Sequence, residues 1–365
     1  MTLEAAHWGG RWGAAPVVAA TSAVNPLAFN SHQTWAFRRA EVTNFVEAPF
    51  LCRNGFRATM ALVRTLPPRA IGAERMALIA ARALESLVDS LEKLTTAQDI
   101  SVVLSLPERL AGDRAGATAQ RRTIEHAVAG SFARVGRTAR ITYQARGHAS
   151  FGLALREAAE LLAGRRVEVV VVGGVDSYYD PDVVETLVDE GRLFDGEDLD
   201  SFIPGEGAAF MVLSRPHIAR KLDGPLARVE SVVTNEEPAH WGTGLPSMGL
   251  GLSRAMRSIS DRSGAERRAV DLWLADVTNE NHRVHEWQLA YPRASAGVSR
   301  ESSEFQFLPP LLGDLGAATM PTAAVLAVEA FRRGDPQADT CVMTGSSQGA
   351  ERAAVLLARE PTEGG

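Results

Sequence analysis

The sequence predicts an α/β protein built from two similar halves, and three observations predict it. Short apolar, β-rich runs alternate with long Ala/Leu segments of helical period. The order of these elements repeats within the chain, and glycines stand at corresponding ends of both copies.

The apolar runs are Pro16–Ala20, Ile100–Leu106, Val167–Val172, Ala208–Leu213, Ala227–Val233, Val270–Leu274 and Thr340–Met343. They are continuous rather than alternating, the pattern of strands covered on both faces, so the sheet is expected to be largely parallel. The helical segments are Ile71–Leu94, Phe151–Leu162, Leu252–Arg262 and Thr322–Arg332. In the first copy of the repeat, Gly147-His148 leads into helix Phe151–Leu162, then Gly164, strand Val167–Val172 and Gly173-Gly174. In the second, Gly313-Asp314 leads into helix Thr322–Arg332, then Gly334, strand Thr340–Met343 and Gly345. The preceding pieces repeat too: Ile71–Leu94 leads to Ile100–Leu106 as Leu252–Arg262 leads to Val270–Leu274. Pro216–Pro225, with Lys221, Asp223 and Gly224, reads as the link, giving an N-terminal half 1–222 and a C-terminal half 223–365.

A chain of 365 residues can bury a substantial core. A net charge of −6 gives no reason to expect nucleic acid or an anionic membrane as partner. Two cysteines, Cys52 and Cys341, form no disulfide framework and fit a reducing compartment. The apolar stretch Ala14–Ala20 lacks the basic region of a signal peptide, and no run approaches the roughly 18 apolar residues of a membrane span. A cytoplasmic protein without cofactor or metal is the expectation.

Several local sequences carry a resemblance. Val17-Val18 through Ser22-Ala23-Val24-Asn25-Pro26-Leu27, then Thr34-Trp35, is similar to the first strand, Pro-Leu turn and Trp-bearing helix of β-ketoacyl synthases. Val170–Gly174 resembles their Gly-Gly strand end. Arg192–Phe194 with Phe202-Ile203-Pro204-Gly205-Glu206-Gly207-Ala208 resembles their Arg-Pro-Phe and Gly-Glu-Gly-Ala signature, and Thr344–Gly349 their C-terminal glycine-rich loop. These matches run in order from about residue 16 to 358, so the chain resembles the β-ketoacyl synthases of the thiolase superfamily over nearly its whole length. The resemblance implies a duplicated five-layered αβαβα core and a homodimer paired through the strand near Ala139–Gln144. It makes Glu206 a structural glutamate. As partners it allows an acyl carrier protein, a second ketosynthase-like subunit or a bacterial secretion system.

The family's nucleophile is a cysteine before the central helix, and two histidines stabilise the enolate. A thiolate exchanges thioesters readily near neutral pH, and a developing oxyanion needs donors aimed at it. Here the cysteine position holds His148, within Gly147-His148-Ala149-Ser150. The first histidine falls at Asp276, in Ala275-Asp276-Val277-Thr278-Asn279-Glu280, and the second at Asp314, with Pro309 at the family's lysine. Condensation is therefore not expected. By the same resemblance Ser150, Asn279, Gly313, Gly345, Ser346 and Gly349 would surround a ligand.

Three readings of this replacement stay open. In one, the chain is a non-condensing pseudoenzyme, a dimeric scaffold that binds an acyl group or a partner; two buried aspartates would then need partners of their own. In another, His148 between Asp276 and Asp314 is a general acid/base that hydrolyses acyl thioesters or esters, with the Gly345–Gly349 turn and Ser346 holding the oxyanion. A helix N-terminus opposes an imidazolium there. In the third, the same three residues, or Asp276 with His282 and His285, hold a metal. His282 is also a candidate for the missing histidine. Tyr178, Tyr179 and Asp180 read as loop packing, and Arg109–Arg122 as a solvated helix or a dock for an acidic carrier.

Overall fold

A computed structural model describes residues 4–7 and 15–360, apart from 166, 223–225, 266–268 and 335–337. The N-terminal half contributes β2 (Val17–Val24), α1 (Ser31–Arg39), the hairpin β3 (Phe45–Leu51) and β4 (Arg57–Ala61), and α2 (Gly72–Leu94), after a short β1 (Glu4–His7). It continues through β5 (Asp99–Leu106), α3 (Ala115–Ala133), β6 (Thr138–Ala145), α4 (Ser150–Ala163), β7 (Val169–Ser177), α5 (Pro181–Asp189) and β8 (Glu206–Ser214). After α6 (Pro216–Ala219) come β9 (Ala227–Glu236), α7 (Leu250–Ala265), β10 (Val270–Ala275), α8 (Asn281–Ser295) and β11 (Ser299–Phe307). The chain ends on α9 (Pro309–Leu312), α10 (Thr319–Arg332), β12 (Thr340–Ser346) and β13 (Glu351–Arg359).

The duplication is explicit in the sheet. Its order is β11-β10-β12-β13-β9-β2-β8-β7-β5-β6, so β6-β5-β7-β8-β2 in one half answers β11-β10-β12-β13-β9 in the other. The inner strands β2 and β9 meet antiparallel, Val17 opposite Arg228 and Val18 opposite Ala227. In each half the outer three strands are parallel and the remaining pairings antiparallel. The sheet is thus mixed rather than largely parallel. β8 and β13 are as buried as parallel strands because helices cover both faces, so their continuous apolar runs carry no information on direction. The expected link Pro216–Pro225 opens with α6, and its last three residues lie outside the described residues.

Five layers follow from which helix faces are apolar. In α2 the buried positions Met76, Ile79, Ala83, Leu87 and Leu91 recur at helical spacing, and this stripe packs on β2, β7 and β8. α7 does the same on β9 and β13. Between the half-sheets lie α4 and α10, each touching strands of both. Every residue of α10 from Thr319 to Phe331 is buried, and Ala323, Ala324, Ala327 and Ala330 keep its girth small. Among the described residues no helix is long and apolar enough to cross a membrane.

α4 approaches β13 so closely that a Cβ at Gly152 would sit 2.5 Å from Ala353 Cβ. Gly152→Ala should therefore lower stability by about 1–3 kcal/mol through overpacking. Gly116 and Gly130 on α3 face open space, and alanine there should gain about 0.5–1 kcal/mol. Denaturant midpoints of the three variants test this, and a Gly152→Ala protein as stable as wild type would show that the central layer yields.

Candidate functional site

The repeat brings two equivalent loop ends together at the junction of the halves. Gly147–Ala149 forms a single 3₁₀ turn before α4, with Gly147 at φ +67° and Glu108 Oε1 2.8 Å from where its Cβ would be. A side chain at 147 would be both strained and blocked, so this turn fixes the direction of His148. Asp276 follows the last residue of β10, and Asp314 follows the left-handed turn at Gly313. All three side chains are buried, with His148 only 3% exposed.

His148 Nε2 lies 2.7 Å from Asp314 Oδ1, whose other oxygen accepts the Tyr178 hydroxyl at 3.1 Å. The Gly316 N–H also donates to Asp314, at 3.0 Å. Asp276 does not touch His148. Its Oδ2 accepts the Ser346 N–H at 2.8 Å and Arg283 Nη1 at 3.3 Å. Arg283, on the first turn of α8, joins the parts: Nη1 donates to the Ser346 carbonyl at 2.9 Å, and Nη2 lies 3.4 Å from His148 Nδ1. It pairs further with Glu280 at 3.3 Å, and Glu280 with Arg192 at 2.6 Å.

Two arginines face three buried carboxylates here, a formal −1 that an imidazolium at His148 would neutralise. Burial pulls the His148 pKa down and Arg283 assists, but Asp314 and, more weakly, Asp276 outweigh them, so it is raised. Burial alone would push Asp314 up; His148 and Arg283 reverse this and hold it well below the carboxylate range. For Asp276 burial wins over Arg283 and the raised value results.

The geometry decides what His148 can do. In the neutral form that donates from Nε2 to Asp314, the Nδ1 lone pair points at Arg283. When protonated, the ring has no lone pair to offer. A general base needs a lone pair within reach of the proton it takes, and neither state presents one to the cleft.

The expected oxyanion turn is similarly engaged. Ser346 N–H donates to Asp276, and Ser347 N–H to the Glu351 carbonyl at 3.1 Å. Gln348 and Gly349 N–H both donate to the Glu108 carboxylate, at 2.8 and 3.0 Å. Ser347 Oγ accepts the Ala149 N–H at 3.0 Å. An internal carboxylate therefore takes the two amides that an anionic intermediate would need.

Of the other residues expected around a ligand, Ser150 is buried and spends its hydroxyl on the Arg146 N–H and the Leu106 carbonyl. Gly313 answers a steric need, since a Cβ would lie 2.7 Å from that of Ala61. A Cβ at Gly345 would lie 2.7 Å from the His148 carbonyl oxygen. Asn279 is exposed and stands outside the cluster. His282 stacks on Trp241 with centroids 4.4 Å apart, so it does not supply a histidine to the cluster. Among the described residues, no three of His, Cys, Asp and Glu converge to hold a metal ion. Cys341 lies in β12, and burial pushes its thiol up, far from a reactive thiolate. Tyr178 is no mere loop packing, since it bonds Asp314, whereas Tyr179 packs on Phe50 and Asp180 caps α5. Glu206 holds Arg75, the Val63 N–H and Ser177 together.

Two clefts flank the cluster. One of 590 Å³ reaches His148 past Glu108, Arg109, Asp176, Tyr178 and Gln348. The other, of 500 Å³, reaches Arg283, Ser346 and Ser347 past Trp241 and Leu245. The side-chain pair His148–Arg283 stands between them.

Solved structures share this architecture. The chain has the fold of solved ketosynthases. The ketosynthase from module 6 of the bacillaene synthase of Bacillus subtilis 168 aligns with a TM-score of 0.73 at 13% identity, over 95% of this chain and 72% of that one. The type II PKS ketosynthase AntDE, in complex with its acyl-carrier protein AntF, gives 0.75 at 13% identity, over 95% and 99%. The ishigamide ketosynthase/chain length factor gives 0.71 at 18% identity, over 95% and 100%. No family model and no curated protein sequence matches the chain.

Asp314 is depressed on folding, so its stabilising contribution is present above its ordinary pKa of 3.8 and is lost as pH falls below it. Asp314→Asn should cost about 3–5 kcal/mol at neutral pH, because it leaves the buried His148 imidazolium without its partner. Its urea midpoint should also fall less than that of wild type between pH 5 and acid pH. Parallel falls in the two proteins would remove Asp314 from this role.

Proposed function

We propose that this chain is a non-condensing, ketosynthase-like scaffold, a pseudoenzyme that forms dimers and binds a partner or an acyl group. One observation carries the reading: the residue in the nucleophile position, His148, has both ring nitrogens committed, to Asp314 and to Arg283. The engaged turn amides at Gln348 and Gly349 support it from the other side of the site. The sequence offers no thiolate there, and thioester exchange without one needs an activated base and an oxyanion pocket. Residues 1–222 and 223–365 are, in this reading, the two halves of the duplicated unit.

Dimerisation through Ala139–Gln144 belongs to the same reading. β6 is one edge of the sheet, bonded among the described residues to β5 alone and largely exposed. An open edge of this length is a template for pairing with another strand. An acyl carrier protein or a second ketosynthase-like subunit fits as partner, since solved structures of the same fold include one of each kind of assembly. Association with a secretion system and a cytoplasmic location rest on the sequence resemblance and composition.

The deciding experiment is thiol release from a panel of acyl-CoA and acyl-carrier thioesters, with intact-mass analysis and a His148→Ala control. No release and no adduct are expected. Release that disappears in His148→Ala, without a mass increase, would establish a His-based hydrolase and end the pseudoenzyme reading. Light scattering should separately give twice the chain mass of 39.1 kDa. Tyr143→Asp, on the exposed face of β6, should shift it toward monomer. A wild-type protein that runs as a monomer would remove the interface.

A further inference from the structure

The acidic charge of this protein is concentrated in one segment. Residues 180–200 hold Asp180, Asp182, Glu185, Asp189, Glu190, Asp195, Glu197, Asp198 and Asp200 against Arg192 alone, a net −8. The whole chain is −6, so everything else sums to +2. Among the described residues, Glu190 is the one of these nine acids that forms an ion pair, with Arg192. Asp182, Glu185, Asp189, Glu197, Asp198 and Asp200 are exposed.

Within this field stands a rigid apolar display. Asp195 Oδ1 accepts the N–H groups of Glu197 and Asp198, each at 2.9 Å, and Asp198 Oδ1 accepts that of Asp200, also at 2.9 Å. Asp200 in turn holds the Asn281 N–H at 2.7 Å and its side-chain amide at 2.8 Å. The turn so fixed presents Leu199, 74% exposed. The tip of the β3–β4 hairpin is tied to the same segment, with Asn54 Nδ2 donating to the Asp195 carbonyl at 3.1 Å. That tip shows Leu51 at 64% and Phe56 at 66% exposed. Single exposed apolar side chains are ordinary, but three on two elements tied together make a contact patch.

We propose that this face, built from Leu51, Phe56 and Leu199 inside the 180–200 acidic frame, docks a basic amphipathic segment of a partner protein. An apolar centre with a charged rim is the anatomy of a protein interface, and the sign of the rim selects the partner's charge. The frame also borders the cleft above His148, which Asp180, Asp182 and Glu190 help to line. A bound segment would therefore lie beside that mouth. The exposed Arg53 and Arg57 of the hairpin tip offset part of this charge, which stays net negative and disfavours an acidic partner. The proposal goes beyond the scaffold reading and does not depend on whether His148 is catalytic.

The test is fluorescence anisotropy of the full chain with a synthetic amphipathic Lys/Leu helix peptide and a Glu/Leu peptide of the same pattern. The Lys/Leu peptide should bind and the Glu/Leu peptide should not, with affinity falling as salt rises. Leu199→Ser and Phe56→Ser should each weaken binding roughly ten-fold. Phe37→Ser, at an exposed apolar side chain on α1, should leave it unchanged. Binding that resists both apolar substitutions but disappears in Glu197→Gln with Glu185→Gln would be plain charge attraction and overturns the proposal. So does binding of neither peptide, of both, or a fall in oligomeric mass in Leu199→Ser, which would make the occupant a second copy. Thioester release is silent on all these outcomes, so the two readings fail separately.

Discussion

Burying Asp276 and Asp314 at the junction of the halves obliges the chain to bury a cation beside them, and Arg283 is that cation. Desolvating a carboxylate costs several kcal/mol, and proximity to a guanidinium repays this only where hydrogen bonds complete the geometry. Arg283 meets most of that condition: its Nη atoms reach Asp276, the Ser346 carbonyl and His148, while its buried Nε only ion-pairs with Glu280 and makes no hydrogen bond among the described residues. The same position brings the guanidinium that pairs with Asp276 to 3.4 Å from the imidazole Nδ1.

The architecture was legible because its signals are long and repeated. Buried strands and apolar helices of period 3.6 are written twice, and α2, α4, α7 and α10 stand within a few residues of the expected bounds. Strand direction was not legible, since β8 and β13 are covered on both faces like their parallel neighbours. The edge strand β11, Ser299–Phe307, is polar and charged along its exposed side, and so carries no apolar run to announce it. The β3–β4 hairpin packs in a small cluster of its own with Tyr178, Tyr179 and Phe202, outside the repeat that guided the reading.

At the site, the convergence of His148, Asp276 and Asp314 on one junction followed from the resemblance, but the partners did not. Arg283 reads in sequence as the opening turn of a helix, and nothing local marks it as buried. The available signal was indirect: two acids expected to be buried demand a counter-charge, and Arg283 lies seven residues beyond Asp276. Tyr178 was hidden in the same way, one residue past a strand end, with its hydroxyl bonded to Asp314 from the far half. Sequence spacing orders residues along one element, whereas these contacts join four.

A buried ionic cluster is a poor route to stability, since well-packed apolar residues of equal volume commonly do as well or better. What the cluster supplies instead is a polar floor. His148, Tyr178, Arg109 and Asp176 line the base of the larger cleft, and Arg109 is fixed to Asp176 at 2.7 Å. A long acyl chain gains from apolar walls and loses where it must desolvate such groups without hydrogen-bonding them. Between the two ligands that the scaffold reading allows, the floor therefore favours a protein partner covering the cleft over a lipid tail entering it. The charge of the lining points the same way, because Glu108, Asp176, Asp180, Asp182 and Glu190 outnumber Arg109, Arg114 and Arg192 there, and charged walls suit a polar partner better than a lipid tail.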